Sequence, residues 1–502
     1  MAENTDVKLC LDALAAKKNE RAKRWNYYDG EHPLVYASDK LNQVFRQQVV
    51  FVQNWCEVIV NATLDRLKFR AFDCGTNNVA KETLEKMWRN TLRKQAQNVH
   101  KAVAVTGEGY VIAWPDKETS KPQAFYHDPR TAHVLYEDDD PTKKRVGCKL
   151  WVRKNEQGKN FRFLNLYYTD RIEHYVGTST STNGITIGGE GASKFKLIGN
   201  GVEMHQHNII PVFHFRRDDR AVVGELSLGI LRIQDSVNKL LTDMMVSSEY
   251  GAYVQRWAIG AFTKDSVIPT GPSTFTEFPP AAPGEQDTST GAYPTTPPSN
   301  YLQPMEQLAY SLAILSRTPK HYFLGRGGVP SGEALLAMEA PLVHKVECYQ
   351  ESLGDTWVEV AAFMARISGV QCQAEDLKML WAAAGTVQPR TAAEIMKLRT
   401  EAGIPVELIL EEEGWSQDEI DHLHEMMNVS ATMRSIPNIT ALPPDIPDAV
   451  RATAADTAKQ IAAASSQPSI GAALDKAGTE TLRRVLNDDG LKAFMQRKAD
   501  KA

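Results

Sequence analysis

Between Leu335 and Ile367 ten apolar residues recur at steps of three and four: Leu335, Met338, Leu342, Val346, Tyr349, Leu353, Trp357, Val360, Met364 and Ile367. That period belongs to an amphipathic α-helix. At 1.5 Å per residue the helix is about 50 Å long. Pro341 and Gly354 fall inside it and predict kinks. A second pattern tightens the constraint. From Leu226 the apolar positions are Leu226, Ile230, Ile233, Val237, Leu240 and Met244, alternating four and three. This is a heptad seam, the narrow stripe of a helix that packs along another helix. Arg232, Asp235, Lys239 and Asp243 sit mostly off it. Met305, Leu308, Leu312 and Leu315 repeat the spacing further on, and Pro319 ends that helix. Long seamed helices want neighbours, and self-association could supply them.

The remainder is mixed. A helix is predicted over residues 6–28, a second from about Val49 to Leu67 and a third from about Ala80 to Ala104. Short aromatic or β-branched runs then read as a sheet: Val111–Trp114, Ala132–Glu137, Gly147–Val152, Phe161–Thr169 and Arg171–Val176. The Ser, Thr and Gly-rich stretch from Gly177 to Ala192 predicts a mobile hairpin loop. The first 220 residues thus form one α+β unit. Gly271 to Asn300 is dense in Pro and Thr, and is either a linker or a small excursion at the end of a helical hairpin. Two or three short helices are predicted from Gln388 to Met427, broken at Gly403-Ile404-Pro405. The Ala-rich end is loosely helical or disordered.

At 502 residues the chain exceeds one ordinary core, and two to four domains are expected. Its 42% hydrophobic and 24% charged content excludes wholesale disorder. A net charge of −5 argues against a protein that wraps DNA tightly. Cys10, Cys56, Cys74, Cys148, Cys348 and Cys372 are scattered without a CxxC pair, against a zinc ribbon or a disulfide framework. No signal core opens the chain and no membrane-length apolar run occurs, so a soluble protein made in the cytoplasm is expected.

No spacing supports an enzyme class. Gly325–Gly332 is Gly-rich, but Ser331-Gly332-Glu333 stands where a phosphate loop needs Gly-Lys-Ser/Thr, and a helix rather than a strand precedes it. Gly107-Glu108-Gly109 reads as a tight turn into a strand. His205 and His207 lack a third metal ligand nearby. Glu137–Asp140 and Glu411–Glu413 read as solvated acidic runs. Neither GxSxG nor HExxH is present. No catalytic, cofactor-binding or metal residue is expected.

Several segments, in order, resemble the portal proteins of tailed phages with long non-contractile tails. They are Trp25–Ala37, Phe51–Leu67, Val99–Trp114, His207–Phe215 leading into Ile233–Gly260, and Thr318–Trp357. The resemblance spans roughly residues 20–420. It implies a multidomain α+β architecture with an α/β wing, a helical stem, a small clip, a long kinked helix and an α-helical crown. By resemblance, residues 1–223 are wing, 224–250 and 301–317 stem helices, and 251–300 the clip between them. Residues 318–332 are then a loop projecting into a tunnel, 333–369 the long helix to the crown and 370–430 the crown; 431–502, which the resemblance does not reach, are expected to be a C-terminal extension, partly disordered or loosely helical.

The function implied is a ring, usually of twelve subunits, at one capsid vertex. DNA enters and leaves through it, the terminase motor docks on it, and a head–tail adaptor attaches to it. The partners implied are other copies of the chain, the major capsid protein, scaffold, terminase large subunit, adaptor and double-stranded DNA, with no membrane. Lys320, His321 and Arg326, in or beside the tunnel loop, either touch the DNA backbone weakly or pair with carboxylates of a neighbouring subunit. Ile230, Ile233, Val237, Leu240 and Met244 pack the stem. Leu342, Val346, Leu353 and Trp357 pack the long helix. Two alternatives stand: another virion part such as a minor capsid or adaptor protein, and a metal-dependent nuclease, which clustered acidic ligands on a strand scaffold would mark.

Overall fold

The computed structural model describes residues 5–33, 51–75, 77–116, 118–154, 160–178, 195–217, 223–252, 254, 256–259, 283–284, 289–325, 331–385, 389–412 and 420–424. The chain divides into two compact units, 1–414 and 415–502. Within the second unit only the helical residues 420–424 are described. All other described residues belong to the first unit.

Helix α1 (Thr5–Tyr28) buries Val7, Cys10, Leu11 and Leu14 on one face. Helix α2 (Trp55–Leu64) starts later than its apolar period suggests, and Val52 lies outside it. Asn54 decides the boundary, because its side chain accepts a hydrogen bond from the Glu57 amide and caps the helix. Strand β1 (Phe69–Asp73) leads to α3 (Asn78–Met87), capped by Asn77. A π-helical turn, Trp88–Leu92, joins α3 to α4 (Arg93–Thr106), so the predicted third helix is one rod with an irregular middle. Gly107 ends it in the left-handed conformation, φ 93°, and the chain turns directly into strand.

The sheet region is larger than its strongest sequence signals. A three-stranded antiparallel sheet has the order β3 (Pro122–His127), β2 (Glu108–Pro115), β9 (Val212–Arg216). A five-stranded antiparallel meander follows the chain: β4 (Ala132–Tyr136), β5 (Lys144–Lys154), β6 (Asn160–Tyr167), β7 (Arg171–Thr178) and β8 (Phe195–Met204). Alternate residues Val146, Cys148 and Leu150 of β5 meet the apolar face of α1. The two sheets approach closely at Gly147, where an added Cβ would overlap the Val212 side chain. Most of the loop predicted at Gly177–Ala192 lies outside the described residues.

Three long helices follow. They are α5 (Leu228–Ala252), α6 (Ser299–Ser316) and α7 (Gly332–Ile367). Between α5 and α6 the short strands β10 (Arg256–Ile259) and β11 (Ser289–Ala292) pair antiparallel. Much of the intervening Pro-rich stretch lies outside the described residues. Ser331 caps α7 through the Ala334 amide. Pro341 is accommodated within one continuous 36-residue helix.

Residues 370–430 are not wholly helical, which corrects the expectation for that segment. Strand β12 (Lys378–Trp381) pairs antiparallel with β1, some three hundred residues earlier in the chain. Helices α8 (Pro389–Glu401) and α9 (Val406–Glu412) follow, separated at Gly403 as the sequence suggested. The β1–β12 pair explains where α7 lies. Leu342, Val346, Tyr349, Leu353, Trp357, Val360 and Met364 are buried with Leu84, Trp88, Leu92, Phe213, Phe215 and Met379 in the principal core. The long helix is therefore a central core element of the mixed α/β body.

Candidate functional site

Helices α5 and α6 pack against each other, and the chain leaving α6 turns back over α2. Ile230 and Val237 are buried, Ile233 and Leu240 are partly buried, and Met244 is half-buried. They join Leu226, Leu231, Met305, Ala309 and Leu312 in a second core with Tyr27, Trp55, Ile59 and Val60. On α6 the buried stripe is Met305, Ala309, Leu312 and Ser316, again in steps of four and three. Leu315, assigned to the seam from the sequence, is 59% exposed, which corrects that assignment. Small residues at 309 and 316 let the helices approach, and an apolar count overlooks them.

The other surprise on α5 is a buried polar stripe. Gln234 accepts from the Trp55 amide (3.0 Å) and donates to the Gln53 carbonyl (2.6 Å) and to Asn238 Oδ1 (2.9 Å). Asn238 also accepts from the Gln53 amide (3.2 Å) and meets His32 Nδ1 at 2.6 Å. Tyr27 donates to Asp235 at 2.6 Å. Burial first, then this carboxylate, pushes the Tyr27 hydroxyl pKa well up. Such a network fixes the axial position of α5 against α1 and α2, because a slip would strand buried amides without partners.

The loop after α6 begins at Arg317, in the left-handed conformation at φ 51°. Thr318 and Pro319 are buried, and residues Lys320–Tyr322 form one 3-10 turn. Phe323 is buried edge-on against Trp55, with centroids 5.6 Å apart. Lys320 is exposed with its ammonium 5.3 Å from the centre of the Tyr310 ring. His321 is exposed beside the ring of Tyr322. The structure thus brings Lys320 and His321 onto one short turn at the end of α6. Arg326 lies outside the described residues.

Two devices tether this turn. Arg66, after α2, donates to Tyr322 Oη (3.3 Å) and to the Ala384 carbonyl (2.9 Å), and pairs with Glu339 of α7 at 3.1 Å. Deeper, Lys345 of α7 pairs with Glu225 at 2.8 Å and donates to the Ser316 carbonyl at 2.8 Å. Tyr349 donates to the other Glu225 oxygen at 2.8 Å, and Arg217 stands 3.6 Å from it. Burial lowers the Lys345 pKa, and Glu225 opposes that shift. The start of α5, the end of α6 and the middle of α7 therefore meet on one buried ion pair. Lone Lys and Glu residues far apart in sequence carry no signal that predicts this.

Leu342, Val346, Leu353 and Trp357 lie in the core of the body. The Trp357 indole packs on Trp88 and Phe215 and donates to His100 Nε2 at 2.9 Å. His205 and His207 flank Trp114 edge-on at 5.2 and 5.3 Å. Among the described residues no group of three or more His, Cys, Asp or Glu could hold a metal ion. Among them also, no helix is long and apolar enough to cross a membrane.

A mixed α/β body, a helix pair rising from it and a short cationic turn tied back by buried polar contacts make up a structural scaffold. The chain belongs to the family described as phage portal protein, SPP1 Gp6-like, whose profile matches residues 7–429. That match takes in every described element of the first unit from α1 to α9 except the first two residues of α1. No curated protein matches the chain. The family is structural and non-enzymatic, and its members are capsid components of the virion.

Proposed function

We propose that this portal protein assembles into a ring, in the family's usual number of twelve, at a single vertex of a phage capsid. DNA passes through the ring during packaging and ejection. The terminase large subunit docks on it first, and a head–tail adaptor replaces the motor afterwards. Major capsid protein and scaffold surround it during assembly in the host cytoplasm. The single observation that carries this reading is the family match, whose bounds take in the helix pair, the following turn and α7.

The subdivision follows the same reading. Residues 1–223 act as wing, with α5 and α6 as stem and residues 251–300 as clip. Residues 318–332 form the tunnel loop, 333–369 the connection to the crown, 370–430 the crown and 431–502 an extension. Lys320, His321 and Arg326 then face the passing duplex, where exposed cations touch phosphates weakly. The buried pair of Lys345 and Glu225 supports the loop assignment, because a moving polyanion would load the turn and needs it braced.

The test is reconstituted packaging. Capsids assembled with scaffold and this chain should package DNA into a nuclease-resistant form, and capsids assembled without it should not. Arg326→Ala and Lys320→Ala should alter packaging or retention while ring assembly persists. Packaging that is indifferent to the chain would overturn the reading; normal packaging by both variants would overturn the role of those cations.

A further inference from the structure

The chain as a whole is acidic, yet one stretch reverses the balance. Residues 86–107 contain the cations Lys86, Arg89, Arg93, Lys94 and Lys101 and no carboxylate. They belong to the rod formed by α3, the π turn and α4. Its buried side carries Leu84, Trp88, Leu92 and Ala96, a run of four-residue steps. In a regular α-helix that run would drift around the axis. The π turn at Trp88–Leu92 takes more residues per turn and absorbs the drift. The same correction aligns the opposite side. There Lys86, Asn90, Lys94 and Asn98 step by four, and Arg89, Arg93 and Gln97 step by four beside them, all exposed.

The result is an exposed cationic and amide-bearing face, with successive groups about 6 Å apart along the axis. Among the described residues Arg89 is the one member of this set in an ion pair, with Glu85 at 3.3 Å, and it remains 74% exposed. Lys101 continues the line, its ammonium 5.4 Å from the Tyr28 ring centre. A row of this kind suits a linear polyanion better than a single phosphate. Guanidinium, ammonium and side-chain amide groups are the usual donors to phosphate oxygens. Membership of the portal family places the chain in a particle that packages DNA.

We propose that this face is a second DNA contact, separate from the turn at Lys320, which docks the backbone of double-stranded DNA without reading its sequence. The contact is electrostatic, weak and salt-sensitive, because few phosphates are neutralised and no base-reading element accompanies them. It does not rest on the tunnel assignment.

The test uses the full-length protein and a fluorescent mixed-sequence duplex of about 30 base pairs, with anisotropy measured between about 50 and 200 mM salt. A variant carrying Arg89→Glu, Arg93→Glu and Lys94→Glu should bind at least about tenfold more weakly at low salt. A neutral variant with Gln at the three positions should show a log–log salt slope shallower by about 2 to 3. Lys196→Gln, at an exposed cation of β8 outside both proposed contacts, should leave duplex binding intact, which separates this face from surface charge in general. Unchanged affinity and slope in both triple variants, with their thermal unfolding unaltered, overturn the proposal. Displacement of wild-type protein by polyglutamate as readily as by unlabelled duplex also overturns it, in favour of an acidic protein partner.

Discussion

Glu108 gathers partners from α1, its own strand and β9. It is fully buried at the start of β2 and forms an ion pair with Arg21 of α1, which also donates to the Pro129 carbonyl. Tyr110 donates to it at 2.9 Å, and His214 of β9 stands 3.3 Å away. Burial opposes ionisation, but the His214 hydrogen bond and the Arg21 charge prevail and hold the carboxyl well below the usual range. Removing one partner of such a pair leaves the other charged in an apolar setting. Glu108→Gln should therefore destabilise the fold by about 3–5 kcal/mol in urea unfolding.

Four histidines shape the acid response. Burial pushes His100, His127 and His133 down to about 3 and His214 down to about 4. Each is neutral when folded and takes a proton readily only when unfolded, so the unfolded chain binds more protons as pH falls below about 6.5. Stability is complete above that pH and is lost toward the folded values, at about 1.4 kcal/mol per pH unit for each histidine. The Glu108 carboxyl adds a loss of the same sign, confined to pH below its unfolded value. Thermal unfolding should show a steep fall from pH 6.5 to 4, and His100→Gln should make it shallower by one histidine's share. A melting temperature level across that range would contradict the assignment. None of this was readable in the sequence. Gly107-Glu108-Gly109 reads as a turn, and the turn is there, but Arg21 and His214, which meet the glutamate, lie 87 and 106 residues away.

At the scale of elements, the seams were legible because apolar periodicity survives without tertiary context. The three long helices fall where the three-four spacing puts them. What the spacing missed was small or polar: Ala309 and Ser316 on α6, Gln234 and Asn238 on α5. Leu312 and Leu315 separate the two patterns cleanly. Leu312→Ala should destabilise by about 2–5 kcal/mol, whereas Leu315→Ala should stay within about 0.5 kcal/mol. Equal effects in equilibrium unfolding would favour the seam drawn from apolar spacing alone. The short strands β1 and β12 escaped for a different reason. Four or five residues hold too little periodicity, and their pairing spans most of the chain. Lys345 joins elements in the same long-range manner. Lys345→Ala leaves Glu225 buried and should cost about 3 kcal/mol, eased by the nearby Arg217. Limited proteolysis of that variant should cut after α6 before it cuts elsewhere.

Across the molecule, the acidic total conceals opposite local charges, and only placement on one helical rod reveals the cationic face at residues 86–101. The later part of α6 and the start of α7 carry Tyr310, Ile314, Leu315 and Leu336 exposed, with Ile314 at 77% exposure. A ring would bury such residues between subunits, which fits long seamed helices left short of neighbours in one chain. The family's order of elements was readable from residue 20 onward because its segments stay recognisable in sequence, whereas subunit number leaves no trace in one chain.

The most direct measurement is native mass spectrometry of the purified protein with electron microscopy of the same sample. Closed rings with a central channel and a mass about twelve times 55.8 kDa are the predicted result. A chain that stays monomeric even with scaffold and major capsid protein present would contradict the portal assignment.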